Sequence, residues 1–163
     1  MTNIEIKDPN GNIICSVESV TQKTNYIGKY IVEFDSDDDN VWLEKNKSKI
    51  LSVIETDFIK WVKDDLIEML DSSEDKDDIA LVKKYIDAIK RKDVKQIIHG
   101  FKQCSKKIAD FYLEIDDPIF NEEPKVAWLT SNNFLPELYD NSGQVSIALD
   151  MNTCKFIECL VYD

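Results

Sequence analysis

Between residues 48 and 70 the apolar side chains Ile50, Ile54, Phe58, Trp61, Val62, Leu66, Met69 and Leu70 recur every three or four positions, whereas on either side of that segment they alternate every second position. A spacing near 3.6 builds an amphipathic helix, and a spacing of two builds a strand with unlike faces. The order strands, helices, strands predicts an α+β fold: an antiparallel sheet built from N- and C-terminal strands, covered on one face by three consecutive helices.

The N-terminal strands start with a hairpin over residues 2–20, because Asp8, Pro9, Asn10 and Gly11 form a turn sequence between two alternating flanks. A further strand is predicted over residues 26–34, with Tyr26, Tyr30, Val32 and Phe34 on one side, ended by an acidic turn over 35–40. Val41, Trp42 and Leu43 read equally as a third short strand or as the entry to the first helix. After that helix, Ser72 or Ser73 can cap a second one, whose first turn is acidic and whose buried side is Ile79, Val82, Ile86 and Ile89. Asp93 is placed to cap a third helix over residues 94–113, turning Ile97, Ile98, Phe101, Ile108, Phe111 and Tyr112 inward. Prolines at 118 and 124 return the chain to extended structure, with strands expected over 125–129, 144–151 and 155–162. The last is apolar on both faces and is expected inside the sheet.

At 163 residues the chain fits one domain, with no repeat or linker to divide it. No run approaches the roughly 18 consecutive apolar residues that cross a bilayer, and the N-terminus lacks the basic and apolar regions of a leader, so a cytoplasmic location is expected. Cys15, Cys104, Cys154 and Cys159 show no CxxC spacing and sit in apolar patterns, which predicts buried free thiols. Lys outnumbers Arg 19 to 1, and with many Ile and Asn this usage suggests an AT-rich genome, such as that of a low-GC bacterium or a phage.

No nucleotide-binding or nucleophile-elbow motif occurs, and four glycines leave no loop to cradle phosphate; no cofactor is expected. Asp35, Asp37 and Asp39 alternate as calcium ligands do at the start of an EF-hand, but Asn40 stands where that loop needs Gly and Asn46 where it needs Glu. They remain weak metal candidates within a solvated turn. His99 is the single histidine, so any imidazole acid/base chemistry must use it. On an unbroken third helix Cys104 would lie about 140° around the axis from it, which excludes a local Cys/His dyad.

The net charge of −12 is concentrated, since residues 116–163 hold nine acids and two bases. Residues 83–107 reverse the sign with nine bases against Asp87 and Asp93, yet one Arg, with Tyr85 and Phe101 as the nearby aromatics, make a poor nucleic-acid surface on a molecule that repels polyanions. In the acidic C-terminal third, Glu122, Glu123, Trp128, Phe134, Glu137, Tyr139 and Asp140 combine aromatics with carboxylates, the composition of an interface that anchors and steers a basic protein partner. The functional expectation is an acidic protein-binding module, most concretely a bacterial immunity- or antitoxin-like inhibitor that neutralises a cognate toxin. The alternatives are an enzyme acting around His99 or the Asp35–Asp39 turn, and a structural or adaptor subunit.

Overall fold

A computed structural model describes residues 3–7, 9–18, 23–100, 109–116, 125–138 and 143–162. The architecture is α+β, with a six-stranded, mostly antiparallel sheet and helices packed on its strands. Strands β1 (Asn3–Lys7) and β2 (Ile13–Glu18) form the expected hairpin, a two-stranded sheet of its own. The larger sheet runs β3 (Lys23–Ile27), β4 (Tyr30–Phe34), β5 (Phe111–Asp116), β6 (Val126–Phe134), β7 (Gly143–Asp150) and β8 (Phe156–Tyr162) in chain order. Every neighbouring pair is antiparallel except β4 and β5, which the intervening helices join as a parallel pair.

The strand expected over 26–34 is instead the hairpin β3–β4, because Gly28 takes a positive φ of 57° and turns the chain within it. Tyr30, Val32 and Phe34 share the buried face, while Tyr26 is exposed. The expected acidic turn after it is a helix start. Ser36 accepts a hydrogen bond from the Asp39 N–H, and Asp37, Asp38 and Asp39 occupy the first turn, where the helix dipole favours negative charge. Helix α1 (Asp37–Ser52) therefore takes in Val41, Trp42 and Leu43 and continues without a break through Val53–Phe58 into α2 (Ile59–Ser72).

Ile50, Ile54, Phe58, Val62 and Leu66 repeat every four residues, and at 3.6 residues per turn each such step drifts about 40° around the axis. Over four steps an ideal α-helix would carry Leu66 roughly 160° away from Ile50. The middle segment Val53–Phe58 is a π-helix, whose wider i→i+5 turns rotate less per residue and take back part of that drift. All five side chains are fully buried.

Helix α3 (Lys76–Lys90) is capped by Asp75, whose carboxylate accepts the Asp77 N–H, rather than by Ser72 or Ser73. Its buried side holds Val82, Tyr85, Ala88 and Ile89, with Ile79 and Ile86 half-buried. Helix α4 begins at its expected cap, Asp93, but is only Val94–His99 long. Gly100 ends it with φ 80° and ψ −174°, a conformation open essentially to glycine alone. The expected helix through residue 113 is thus corrected: Phe101, Cys104 and Ile108 lie outside the described residues, and Phe111 to Asp116 form β5. There Phe111 and Leu113 face the core and Tyr112 faces away, an alternation of period two.

Strand β6 runs to Phe134, further than expected, so residues 131–134 belong to the sheet rather than to a loop. In β7, Val145, Ile147 and Leu149 are buried on the core side, and Ser146 and Ala148 on the other face are buried as well. The last strand is a correction. β8 lies at the sheet edge, with Ile157 47% and Tyr162 52% exposed, and a register shift opposite Ala148 and Leu149 bends it. Trp42 fastens α1 to the β7–β8 connection through Nε1–H donated to the Met151 carbonyl at 2.9 Å.

Gly100 gives a first prediction. A Cβ there would strike Pro136 Cγ and come within 2.7 Å of both Glu137 carboxylate oxygens, on top of the strained φ. Gly100→Ala is expected to cost about 1–3 kcal/mol for the backbone conformation, with more for the displaced turn, read as a lower urea midpoint at unchanged slope. A midpoint within error of the parent would contradict this packing.

Candidate functional site

The N-terminal end of α1 sits beside β5 and opens a cavity of about 440 Å³ lined by Asp35, Asp38, Asp39, Tyr112, Glu114 and Lys125, among others. Four carboxylates face one lysine in that lining. The Tyr112 hydroxyl donates to Asp35, and this bond, followed by burial and by the charges of Asp35, Glu114 and Glu33, pushes the phenol up to about 12. Burial, reinforced by repulsion from Asp35, also raises the Glu33 carboxyl above its ordinary range. An excess of carboxylates therefore gathers where β4, β5 and the start of α1 meet.

Tyr112 and Glu114 continue this surface onto the sheet face that points away from the helices. Cross-strand register aligns Glu33, Tyr112, Thr130, Ser146 and Leu160 in one row, and Glu114, Trp128, Ala148 and Glu158 in the next. The contact between Thr130 Oγ1 and Ser146 Oγ at 2.9 Å places both side chains on this common face. Leu113, Leu129, Ile147 and Cys159, one residue along each strand, turn into the core. Glu114 and Glu158 are exposed, and neither has a hydrogen bond or ion pair among the described residues.

A separate polar cluster surrounds Asp110, which is only 4% exposed. Its Oδ1 lies 2.6 Å from His99 Nε2, its Oδ2 accepts the Ile31 N–H at 2.8 Å, and Lys95 Nζ stands 3.8 Å away. Burial pushes this carboxyl up, but the bonds from His99 and Ile31 and the charges of His99 and Lys95 outweigh it and hold it below the usual carboxylate range. An ionised Asp110 can only accept, so Nε2–H is the donor and a neutral ring keeps its lone pair on Nδ1. Among the described residues that Nδ1 is buried without a partner, as is the hydroxyl of the fully buried Tyr30.

The sequence-derived interface residues scatter. Trp128 lies on β6 in the outer face described above. Phe134 is fully buried, its ring 6.3 Å from Phe58 and 6.2 Å from Trp61. Glu137 accepts a hydrogen bond from the buried Tyr85 hydroxyl and is held inside the molecule's own framework. Glu122, Glu123, Tyr139 and Asp140 lie outside the described residues.

Among the weak metal candidates, Asp35 bonds Tyr112, Asp37 pairs with Lys23 at 2.7 Å, and Asp39 lies in the first helical turn. Among the described residues no three His, Cys, Asp or Glu side chains gather as a metal-binding group. Cys154 and Cys159 are buried free thiols, and burial pushes the Cys159 thiol up to about 12. In the basic stretch, Tyr85 is fully buried and thus closed to base stacking.

The sequence reading missed Glu33 and Glu114. Each is the polar member of an alternating strand; for Glu33 that alternation was legible in the segment 26–34, and for Glu114 it becomes legible only once residues 111–116 are recognised as a strand. No helix among the described residues is long and apolar enough to cross a membrane. Comparisons with protein-family models, curated proteins and solved structures returned no match.

Proposed function

We propose that this protein is an acidic binding module of the cytoplasm that captures and neutralises a basic protein partner, with a bacterial immunity- or antitoxin-like inhibitor as its most concrete form. The observation that carries this reading is the cavity at the start of α1, where Asp35, Asp38, Asp39 and Glu114 face outward against Lys125. A concentration of like charge in a concave surface raises the local density of cations and accelerates encounter with a positively charged macromolecule.

Affinity capture from the source cells at about 50 mM and about 500 mM salt tests it, because contacts between exposed charges weaken as the screening length shortens. A basic protein retained at low salt is expected, and replacing Asp35, Asp38, Asp39 and Glu114 by their amides is expected to slow its association about tenfold or more. Retention that ignores both salt and these four substitutions would overturn the proposal.

The orphaned Nδ1 of His99 favours a second reading, an enzyme in which Asp110 orients the imidazole as a base. His99→Gln separates the two. The inhibitor reading expects unchanged neutralisation, whereas loss of function in a folded variant would favour the enzyme.

A further inference from the structure

We propose that β8 pairs edge to edge with β8 of a second copy of this chain, antiparallel about a two-fold axis at Leu160, so that the two large sheets join into one. The inference is independent of the binding function proposed above. The Asp150 N–H donates to the Lys155 carbonyl at 2.9 Å, and the Met151 N–H donates to the Lys125 carbonyl at 3.1 Å. Backbone groups alternate sides along a strand, so the even-numbered residues of β7 aim theirs at β8 and the odd-numbered ones at β6. Register pairs Gln144, Ser146 and Ala148 with Tyr162, Leu160 and Glu158. The N–H and C=O of Cys159 and Val161 therefore point out of the sheet. Among the described residues nothing bonds to them.

The opposite edge is closed. The two-residue turn at Gly28 and Lys29 leaves the Tyr26 N–H pointing away from β4, and Asn25 Oδ1 accepts it at 2.7 Å. Lys47 donates to the same oxygen, and Asn40 and Glu44 of α1 hold the Asn25 amide nitrogen, so this plug is anchored. No such plug exists on β8, which is apolar at six of its seven positions, Glu158 being the exception. Ile157 and Tyr162 are half exposed. An open edge of this composition is a template for a further strand. Its register shift lies at Ile157, ahead of residues 158–162, whose pairing with β7 is regular.

A second copy fits this edge residue by residue. About an axis at Leu160, Cys159 and Val161 of one copy exchange backbone bonds with Val161 and Cys159 of the other. Leu160 then meets Leu160, and Glu158 stands opposite Tyr162 instead of a second carboxylate. With one charge in the strand, the net charge of −12 lies almost wholly elsewhere and opposes the pair at long range, where salt screens it. A basic segment of another protein is the rival occupant, and salt would weaken its binding.

Sedimentation equilibrium of the intact protein, over a roughly hundredfold range of concentration, measures the association. The 18.9 kDa chain is expected to give way to twice that mass as concentration rises. Raising salt from about 50 to about 500 mM is expected to strengthen association several-fold. Hydrogen exchange is expected to slow about tenfold or more at the Cys159 and Val161 amides in concentrated protein, with Glu158, Leu160 and Tyr162, already bonded to β7, unchanged. Val161→Pro removes an outward donor without touching the β7 ladder and is expected to weaken the dimer about tenfold or more. Leu160→Glu sets two carboxylates against each other on the axis and carries the same test should the proline variant unfold, with circular dichroism as the check. Tyr26→Glu on the plugged edge is expected to change association less than about twofold.

A single mass at every concentration would overturn the proposal; if an extended lysine-bearing peptide then protected the Cys159 and Val161 amides, the edge would belong to another protein. A dimer that both folded variants retain, that salt dissolves, or that protects amides elsewhere would overturn it as well.

Discussion

Phe134→Ala is expected to destabilise the protein by about 3–5 kcal/mol, the range for removing a buried aromatic from a packed core. The ring sits at the end of β6 with no exposed surface and touches both Phe58, in the π-helical segment, and Trp61, at the start of α2. Deleting it opens a cavity between sheet and helix that neither side can close without moving a whole element. A loss of that size is a large share of the roughly 5–15 kcal/mol that holds a typical domain together. Urea unfolding followed by circular dichroism measures it, and Phe134→Leu should recover much of the loss. If Phe134→Ala kept the parent midpoint and only weakened partner capture, the residue would be an interface anchor, as its sequence surroundings suggest, and its placement in the core would be wrong.

Asp110→Ala is the second large effect, with an expected cost of about 3 kcal/mol or more, because it strips partners from several buried groups at once. The parallel junction between β4 and β5 is short, with Val32 aligned to Phe111 and Glu33 to Tyr112. Asp110 extends it. Its N–H donates to the Ile31 carbonyl at 2.8 Å while its carboxylate takes the Ile31 N–H, and the other carboxylate oxygen holds His99 at the end of α4. Because the folded chain holds this carboxyl below its ordinary range, its contribution is complete above about pH 4 and is lost as the pH falls through the lower folded value. Asp110→Asn should therefore differ most from the parent near neutrality, with the gap in unfolding free energy closing as acid is added. A gap that stays constant down to about pH 2 would show that the charge of Asp110 does not stabilise the fold.

Much of the site was hidden for a definable reason. Trp128 was legible as an aromatic in acidic surroundings, and the structure puts it on an outward face. Phe134 had the same signal and the opposite fate, since β6 continues through it into the core. Glu137 also reads as surface charge, yet Tyr85, 52 residues away, takes up its carboxylate. Composition counts carboxylates but cannot tell a solvated one from one already bonded, because the partner comes from another part of the chain.

The helix over 94–113 failed on different grounds. Its apolar residues fit a period of 3.6, but Gly100 and the alternation of Phe111, Tyr112 and Leu113 carry the stop and the change of period. The π-helical segment was not read from the sequence, where the stripe from Ile50 to Leu70 stands as one amphipathic helix of period near 3.6.

Local chemistry by itself determined the broad order of strands, helices and strands, the hairpin at Gly11, the cap at Asp93, the apolar stripe of the long helix and the excess of negative charge, since each depends on residues a few positions apart. Tertiary structure alone decided that β8 is an edge, that β4 and β5 run parallel, that Asp110 joins His99 to Ile31, and that Glu114, Trp128 and Glu158 share a row. Those outcomes depend on which strands become neighbours, a choice made by burying the whole apolar surface together, and no short window of sequence contains it.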